Sequence, residues 1–361
     1  MITKAKRLQS VQEYYFSHKL REIQQLKAAG KSIINLGIGS PDIPTAPEVL
    51  KALTNAAVLP NATQYQSYQG IPELRSAIGQ FYQQHFKVDL NPATEILPLM
   101  GSKEGIMHIS MAFLNDGDEV LIPNPGYPTY TAVTQLLGAV PVLYELSETN
   151  NWFPDLESLS QQNLSNVKLM WVNYPHMPTG ATVTHQQWEQ LIRFAKKHQI
   201  LLVNDNPYSF ILNDAPNSIL QIAGAKEICL ELNSLSKTFN IAGMRVGMVM
   251  GDASYIEAIL QVKSQMDSGM FLGIQQAAIA ALQLEKSWFI MLNKIYQKRR
   301  LLVWKLLDFL QCDYQKNTAG LFVWAKLPNG GNGEQFADTL LHQLGIFITP
   351  GMVFGSAGNQ Y

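Results

Sequence analysis

The fold of this chain is decided by the stretch ICLELNSLSK, residues 228–237. Its first half is a nearly unbroken apolar run, which is typical of a strand buried on both faces of a parallel sheet. Lys237 follows shortly after, beyond the carboxyl end of the predicted strand. In such sheets, ligands bind outside the carboxyl ends of the strands. The stretch therefore predicts a buried sheet with a lysine beside a ligand site.

Other apolar runs have the same character and alternate with segments of helical pattern. The predicted strands are 119–123, 140–146, 168–173, 200–205 and 227–233, and the predicted helices are 11–29, 103–114, 129–137 and 186–198. Thr184 and Gln187 have the spacing of a capping box at the start of the last helix. The alternation predicts an α/β fold with a mostly parallel sheet covered by helices.

The pattern changes after about residue 285. The segments predicted there are a long helix at 288–311, a strand at 320–327, a helix at 334–344 and a short strand at 346–349. We expect residues 286–361 to form a small α+β domain together with residues 1–45, because 35–39 resembles a lone strand that leads into an inter-domain loop. The large domain would span residues 46–285.

Composition limits the class of protein. Of the 361 residues, 47% are hydrophobic and the net charge is −1, which predicts a large core and no nucleic-acid partner. The two cysteines have neither a pairing pattern nor metal-ligand spacing, so no metal is expected. We also expect no signal peptide and no membrane span, and we place the protein in the cytoplasm.

Lys237 is the first candidate for covalent chemistry. Burial lowers the pKa of a lysine, and its free amine can then attack an aldehyde to form a Schiff base and later act as a base. Asp205 and Tyr208 follow from the strand predicted at 200–205; the carboxylate can pair with a pyridinium nitrogen, and the phenol can donate to a ring oxygen. The plainer alternatives are a solvated loop lysine, a turn aspartate and a tyrosine at the edge of the core.

A second group of residues suits an anion and a planar ring. Ser102 opens a predicted helix, whose free backbone amides can bind phosphate, although it could also be an ordinary N-cap. Ser234 and Arg245 could complete the cradle, since a guanidinium matches phosphate in charge and shape. Tyr127 could lie on the face of the ring or belong to the core. Together these groups are the ones needed to hold pyridoxal 5′-phosphate (PLP).

The chain resembles the class I/II aminotransferases, which are fold-type I PLP enzymes, from about residue 33 to its last residue. The motifs follow the family's order: NLGIGSPD at 35–42, YQSYQGIPELR at 65–75, GSKEG at 101–105, NPGYP at 124–128, PTG at 178–180, DNPY at 205–208 and SLSK at 234–237. The resemblance implies a seven-stranded sheet and the transfer of an amino group between an L-amino acid and a 2-oxo acid. The stretch 267–271 looks most like the branch with LL-diaminopimelate, alanine and aspartate aminotransferases.

The resemblance also implies a role for each candidate residue. Lys237 would hold PLP as a Schiff base and shuttle the proton, Asp205 would pair with the ring nitrogen, and Tyr208 would donate to the ring oxygen O3′. By the same resemblance, Tyr127 would stack on the ring, and the phosphate would be bound by Ser102, Lys103 (through backbone amides), Ser234 and Arg245. Tyr65 would contact the phosphate of the neighbouring subunit in a homodimer, and Ile38 and Gly39 would lie on the substrate side. The peptide bonds before Pro125 and Pro178 would be cis.

Two positions depart from the family's pattern. The asparagine that usually precedes Pro-Thr-Gly and donates to O3′ is Met177 here, and a thioether has no donor. Tyr208 would then act alone, or His176 would lend its N–H. The family also carries an arginine for the substrate carboxylate just after the loop at 354–358, and none follows here. We expect the natural chain to extend beyond Tyr361 and carry it, unless the carboxylate is held otherwise.

Two other functions are compatible with these features. A PLP-dependent lyase or synthase would share the cofactor chemistry, but only a transaminase needs a 2-oxo acid acceptor to turn over. The effector domain of a transcription regulator resembles this fold, but such regulators carry an N-terminal helix-turn-helix domain and a basic surface. Only a short segment precedes the first motif here, so an aminotransferase is the function we expect.

Overall fold

The computed structural model describes residues 2–361. The strands within them are β1 (Ile34–Asn35), β2 (Ile96–Leu99), β3 (Glu119–Asn124), β4 (Val140–Glu145), β5 (Val167–Val172), β6 (Leu201–Asp205), β7 (Cys229–Ser234), β8 (Gly247–Gly251), β9 (Asp313–Tyr314), β10 (Ala325–Lys326) and β11 (Ile346–Phe347). The α-helices are α1 (Tyr15–Ala28), α2 (Pro47–Ala57), α3 (Pro72–Phe86), α4 (Ser102–Phe113), α5 (Pro128–Leu136), α6 (Leu156–Ser160), α7 (His185–His198), α8 (Leu235–Thr238), α9 (Ala253–Lys263), α10 (Leu272–Leu282), α11 (Lys286–Phe309) and α12 (Gly333–Thr339).

The central sheet has seven strands in the order β2-β8-β7-β6-β5-β3-β4. β8 runs antiparallel to both β2 and β7, and the other neighbours are parallel. The mostly parallel seven-stranded sheet expected from the sequence is therefore confirmed. Sequence periodicity gave no prediction for β2 and β8: β2 contains Pro98, which suits its position at the sheet edge, and β8 has glycine at both ends.

Helices cover both faces of the sheet because successive side chains on each strand point to opposite sides. Leu202 and Cys229 belong to one apolar core, which α3, α7 and α10 complete. Val203 and Leu230 belong to the other core, which α4, α5 and α9 complete. The predicted capping box is confirmed, since Thr184 Oγ1 accepts from the backbone of Gln187 at the start of α7. These layers bring the carboxyl ends of β3, β5, β6 and β7 to one edge.

A second region joins the two ends of the chain. β1 pairs in parallel with β11, and β9 pairs antiparallel with β10. The strand predicted at 320–327 is wrong over most of its length, because only Ala325–Lys326 is a strand. Gly320 has φ +85° and the residues after it are irregular, with Phe322 packed edge-on against Tyr208 at 5.9 Å between ring centres. Leu321 and Trp324 pack against the core and Phe322 lines a cavity, so the apolar pattern there does not require a strand. The domain boundaries stay a prediction.

None of the helices within residues 2–361 has both the length and the apolar character that crossing a bilayer requires.

Candidate active site

A cavity of about 340 Å³ opens at the edge where the parallel strands end. Most of the residues singled out in the sequence line it, although they come from separate parts of the chain. They are Ile38, Gly39, Ser102, Lys103, Tyr127, Asp205, Tyr208, Ser234, Lys237 and Arg245. Tyr65 is the exception: it is 89% exposed and does not line this cavity within the single chain.

Lys237 lies in the short helix α8, which follows directly from β7. Its ammonium donates to the carbonyl of Gly39, so the strand-end lysine points across the cavity to the segment after β1. Burial lowers the pKa of Lys237, the positive charge of Arg245 contributes to the shift, and together they bring it to about 8. The fraction of free amine near neutral pH is therefore far larger than for a surface lysine, as a nucleophile requires.

Asp205 is the last residue of β6 and is buried. Tyr130 donates to its Oδ2 over 2.9 Å, whereas Oδ1 has no hydrogen-bond partner among residues 2–361. Burial raises the pKa of Asp205 to about 7, against the hydrogen bond from Tyr130, which lowers it. A buried carboxylate oxygen without a partner, next to a cavity, fits a cationic N–H donor such as a protonated pyridine.

Sequence reasoning missed Tyr130. Its ring stacks on Trp171 at 4.8 Å and meets the ring of Tyr127 edge-on at 5.6 Å. Burial raises the pKa of the Tyr130 hydroxyl, and the Asp205 carboxylate raises it further, so the group stays a donor. The signal that could have found it is the spacing of three between Tyr127 and Tyr130 at the start of a helix, which puts both on one face.

The Tyr208 hydroxyl donates to Met177 Sδ at 3.4 Å, inside the cavity. Burial raises the pKa of Tyr208, so the phenol keeps its proton. The suggestion that His176 lends its N–H here is wrong. His176 does not line the cavity; its Nδ1 lies 2.8 Å from Thr179 Oγ1, and burial lowers its pKa to about 3. Met177 lines the cavity, and His176 does not.

Proline bonds shape the loops on this side of the cavity. The bonds before Pro125 and Pro178 are cis, which confirms the expectation, and the bond before Pro175 is cis as well.

The N-terminus of α4 lies at one end of the cavity, where Ser102 and Lys103 line it. Gly101 is the N-cap with φ +93°, and a Cβ placed there would overlap the Arg245 guanidinium. Glycine is thus required both by the backbone angle and by the close approach of the arginine. Arg245 itself has φ +54°, a strained angle for a residue with a side chain. The guanidinium, the free amides of α4 and the residues Ser102 and Ser234 lie at this end of the cavity, and such groups suit an anion.

Lys103 and Tyr14 form a second pair that the sequence did not predict. Lys103 Nζ lies 4.0 Å from the centre of the Tyr14 ring, so its side chain, and not only its backbone amide, belongs to the cavity. Burial is the main cause that raises the pKa of Tyr14. Phe16 and Leu20 line the same wall. The aromatic run at 14–16, at the start of the helix α1, is the signal that the sequence offered.

Comparison with known proteins agrees with this geometry. LL-diaminopimelate aminotransferases from Dehalococcoides mccartyi and Aquifex aeolicus are 40% and 36% identical over 359 and 357 residues, or 99% and 98% of this chain and 92% of each relative. Apo-BacF from Bacillus subtilis superimposes with a TM-score of 0.96 at 35% identity, covering 100% of this chain and 93% of that one. An aminotransferase from Staphylococcus aureus gives 0.91 at 29%, covering 99% and 93%.

Fold and cavity together define a fold-type I enzyme. The sequence model of the family "Aminotransferase class I and II" matches residues 31–360, and the chain belongs to that family. It is an aminotransferase, and its relatives do not favour the alternative of a lyase or synthase. The chemistry of this family depends on PLP.

Proposed function

We propose that this aminotransferase holds PLP in the cavity through Lys237 and moves an amino group from an L-amino acid to a 2-oxo acid. The observation that carries the proposal is the pairing of two buried groups on one cavity. Lys237 is an amine with a lowered pKa, and Asp205 presents a carboxylate oxygen that has no partner among the described residues. An aldehyde and a pyridinium N–H on one rigid ring would satisfy both groups at once.

The remaining cavity residues fit the other parts of PLP. Ser102, Ser234, Arg245 and the amides at Ser102 and Lys103 would hold the phosphate, and Tyr208 would donate to O3′. Tyr127 would cover the face of the ring. Met177 offers no donor, so we propose that the Tyr208 hydroxyl exchanges its thioether acceptor for O3′ when the cofactor is bound. Ile38 and Gly39 would lie beside the substrate.

The chain's own residues then divide the work. PLP supplies an electron sink that lets a proton leave the substrate's α-carbon. Lys237 takes that proton and returns it at a different atom, a task for which a pKa near 8 is suited at neutral pH. Asp205, oriented by Tyr130, stabilises positive charge on the ring nitrogen. Phe322 and Phe354, which line the cavity, exclude water from the reacting atoms.

Two classes of amino donor have support. LL-diaminopimelate is the first, because curated relatives at 36–40% identity are named for it. A donor with an apolar side chain is the second, because Phe16, Leu20, Ile38, Phe322 and Phe354 line the substrate side of the cavity. Burial against such a wall favours carbon-rich side chains.

We further propose a homodimer in the cytoplasm, with Tyr65 on the neighbour's phosphate. Tyr65 is 89% exposed, and Val58 nearby is 82% exposed, which suits a surface that a second chain covers.

The test is a screen of the PLP-loaded protein against single amino acids, read as loss of the cofactor's visible absorbance. The true donor should convert the cofactor to its aminated form, and a 2-oxo acid should restore the original spectrum. Restoration separates amino transfer from lyase chemistry, which needs no acceptor. A protein that takes up no PLP, or one that releases more than one equivalent of a 2-oxo acid per site without an acceptor, would contradict the proposal.

A further inference from the structure

Glu231 is a buried acid for which the chemistry above has no use. It lies in β7, the strand that leads to Lys237, and is 0% exposed. In the sheet it is in register with Asn204, whereas Asp205 is in register with Leu232. Because neighbouring residues on a strand point to opposite faces, Glu231 lies on the face of the sheet that is turned away from Asp205.

Four donors converge on the Glu231 carboxylate. Oε1 accepts from the Tyr82 hydroxyl at 2.8 Å and from Asn206 Nδ2 at 3.4 Å. Oε2 accepts from the backbone N–H of Ile219 at 3.1 Å and from Asn204 Nδ2 at 3.3 Å. Burial raises the pKa of Glu231, and the donors oppose that rise. A full set of donors around a buried carboxylate makes it a rigid junction, because removing the acceptor would leave each donor unpaired.

One arm of this junction reaches the proposed phosphate site. The Tyr82 hydroxyl, which donates to Glu231, accepts from Asn233 Nδ2 at 2.9 Å. The other end of that amide, Asn233 Oδ1, accepts from the backbone N–H of Ser234 at 2.7 Å. The network thus fixes the backbone of Ser234, whose hydroxyl lines the anion-binding end of the cavity.

The other hydrogen bonds of Glu231 fix the residues on either side of Asp205 in the sequence. Asn204 and Asn206 are its two neighbours, and both donate to Glu231. Asn204 Oδ1 also accepts from the backbone N–H of Tyr174 at 3.0 Å, which ties in the segment that leads to Met177. One carboxylate is therefore connected to the three strand-end segments that form the cavity floor.

We propose that Glu231 is a positioning residue that sets Asp205 and Ser234 against the cofactor from the opposite face of the sheet. This inference rests on the proposed function, since it requires PLP to bind between those two residues. The hydrogen bonds of Glu231 have separate roles. Those through Tyr82 position Ser234 for the phosphate, and those from Asn204 and Asn206 position Asp205 for the ring nitrogen.

The experiment compares Glu231→Gln and Tyr82→Phe with the wild type. Gln keeps the volume but replaces one acceptor oxygen with a donor, and Phe cuts only the arm to Ser234. Apoenzyme is titrated with PLP and, separately, with pyridoxal, which lacks the phosphate. Ile259→Val and Ile259→Ala serve as controls: Ile259 is fully buried in α9 and belongs to the core on the other face of the sheet from Tyr82, so these variants should lose stability alone.

For Tyr82→Phe we expect PLP to bind about 3- to 10-fold more weakly, the loss of roughly one hydrogen bond, with pyridoxal affinity unchanged. For Glu231→Gln we expect about tenfold weaker binding of both ligands, together with a lower kcat at nearly unchanged KM. The Ile259 variants should keep both affinities at temperatures below their unfolding transitions.

Two outcomes overturn the inference and are distinct from failure of the proposed function. If the network variants bind PLP as the Ile259 variants do, Glu231 only stabilises the fold. If Tyr82→Phe weakens PLP and pyridoxal equally, the phosphate arm is wrong. A wild-type chain that binds neither ligand refutes the proposed function itself. Should Glu231→Gln fail to fold, Tyr82→Phe still decides the matter.

Discussion

The Tyr130 hydroxyl donates to Oδ2 of Asp205 over 2.9 Å, and Oδ1 of the same carboxylate has no partner within residues 2–361. The tyrosine therefore fixes the carboxylate's rotation and determines which oxygen is available to a ligand. The ring of Tyr130 is stacked on Trp171 in the apolar core, and this packing sets the orientation of the Asp205 carboxylate.

Tyr130→Phe should lower kcat by about 10- to 100-fold, because it removes a hydrogen bond to a charged group, worth about 1.5–3 kcal/mol. PLP should still bind, since the phosphate contacts are unchanged. Tyr144→Phe is the matched control: Tyr144 is an equally buried tyrosine, whose hydroxyl donates to the Trp171 carbonyl at 2.7 Å. Steady-state kinetics give kcat for both variants, and equal losses of kcat would contradict a specific role for Tyr130.

Asp205→Asn should stabilise the cofactor-free protein in a pH-dependent way. The folded pKa of Asp205 is raised to about 7 from its usual 3.8, so ionisation in the fold is unfavourable. The wild type loses stability as pH rises from about 4 through 7, by up to about 4 kcal/mol, and the amide does not. Denaturant unfolding at pH 4.5 and 8 should show a gap between the two proteins that widens at pH 8. A constant gap would contradict the raised pKa.

Asp205→Ala should reduce turnover far more than it reduces PLP affinity. The carboxylate matters most when negative charge flows into the ring, so its contribution is larger in the transition state than in the ground state. Absorbance titration with PLP and single-turnover rates separate the two effects. Near-normal turnover with PLP bound would show that Asp205 does not pair with the ring nitrogen.

Lys237 should capture PLP with a rate that rises about tenfold per pH unit below pH 8 and levels off above it, because only the neutral amine attacks. Nα-acetyl-lysine in solution is the control, and its rate of reaction with PLP should keep rising until the pH reaches the ordinary pKa of lysine. Borohydride reduction followed by mass spectrometry of a digest should place the pyridoxyl group on Lys237. A label on another lysine would refute the assignment.

Hybrid dimers should test the role of Tyr65. A Tyr65→Phe chain mixed with a Lys237→Ala chain should regain activity, because one of the two sites then has both residues. The matched control mixes wild type with a chain that carries both substitutions, whose hybrid has no intact site. Sedimentation should show a dimer, and a stable active monomer would contradict the shared site.

Local pattern was enough to predict the strands that carry the site. β3, β5, β6 and β7 are buried on both faces, so each is a nearly continuous apolar run and its carboxyl end can be located from the sequence. Asp205 and Lys237 follow two of these runs, which is why both could be found. The motifs supplied the remaining candidates through resemblance.

The residues that the sequence did not reveal depend on long-range contacts. Tyr14 reaches the cavity only because the start of α1 folds back over Lys103. Glu231 looks like an interruption in an apolar strand until Tyr82, 149 positions away, is seen to donate to it. The error in the strand predicted at 320–327 has the same origin, since Phe322 packs against the distant Tyr208. Periodicity describes an element's own faces and carries no information about which distant element covers them.

The pairing of β1 with β11 has a consequence for the order in which the molecule is built. Thr349 donates to the Gly37 carbonyl across 312 positions, so β1 has no strand partner until the last part of the chain has been synthesised. The central sheet is complete much earlier, once Gly251 has left the ribosome. Lys237 can therefore lie at the end of a finished sheet while the segment to which its amine donates is still unpaired with β11. During translation, the amine of Lys237 therefore reaches its position before the cavity around it is complete.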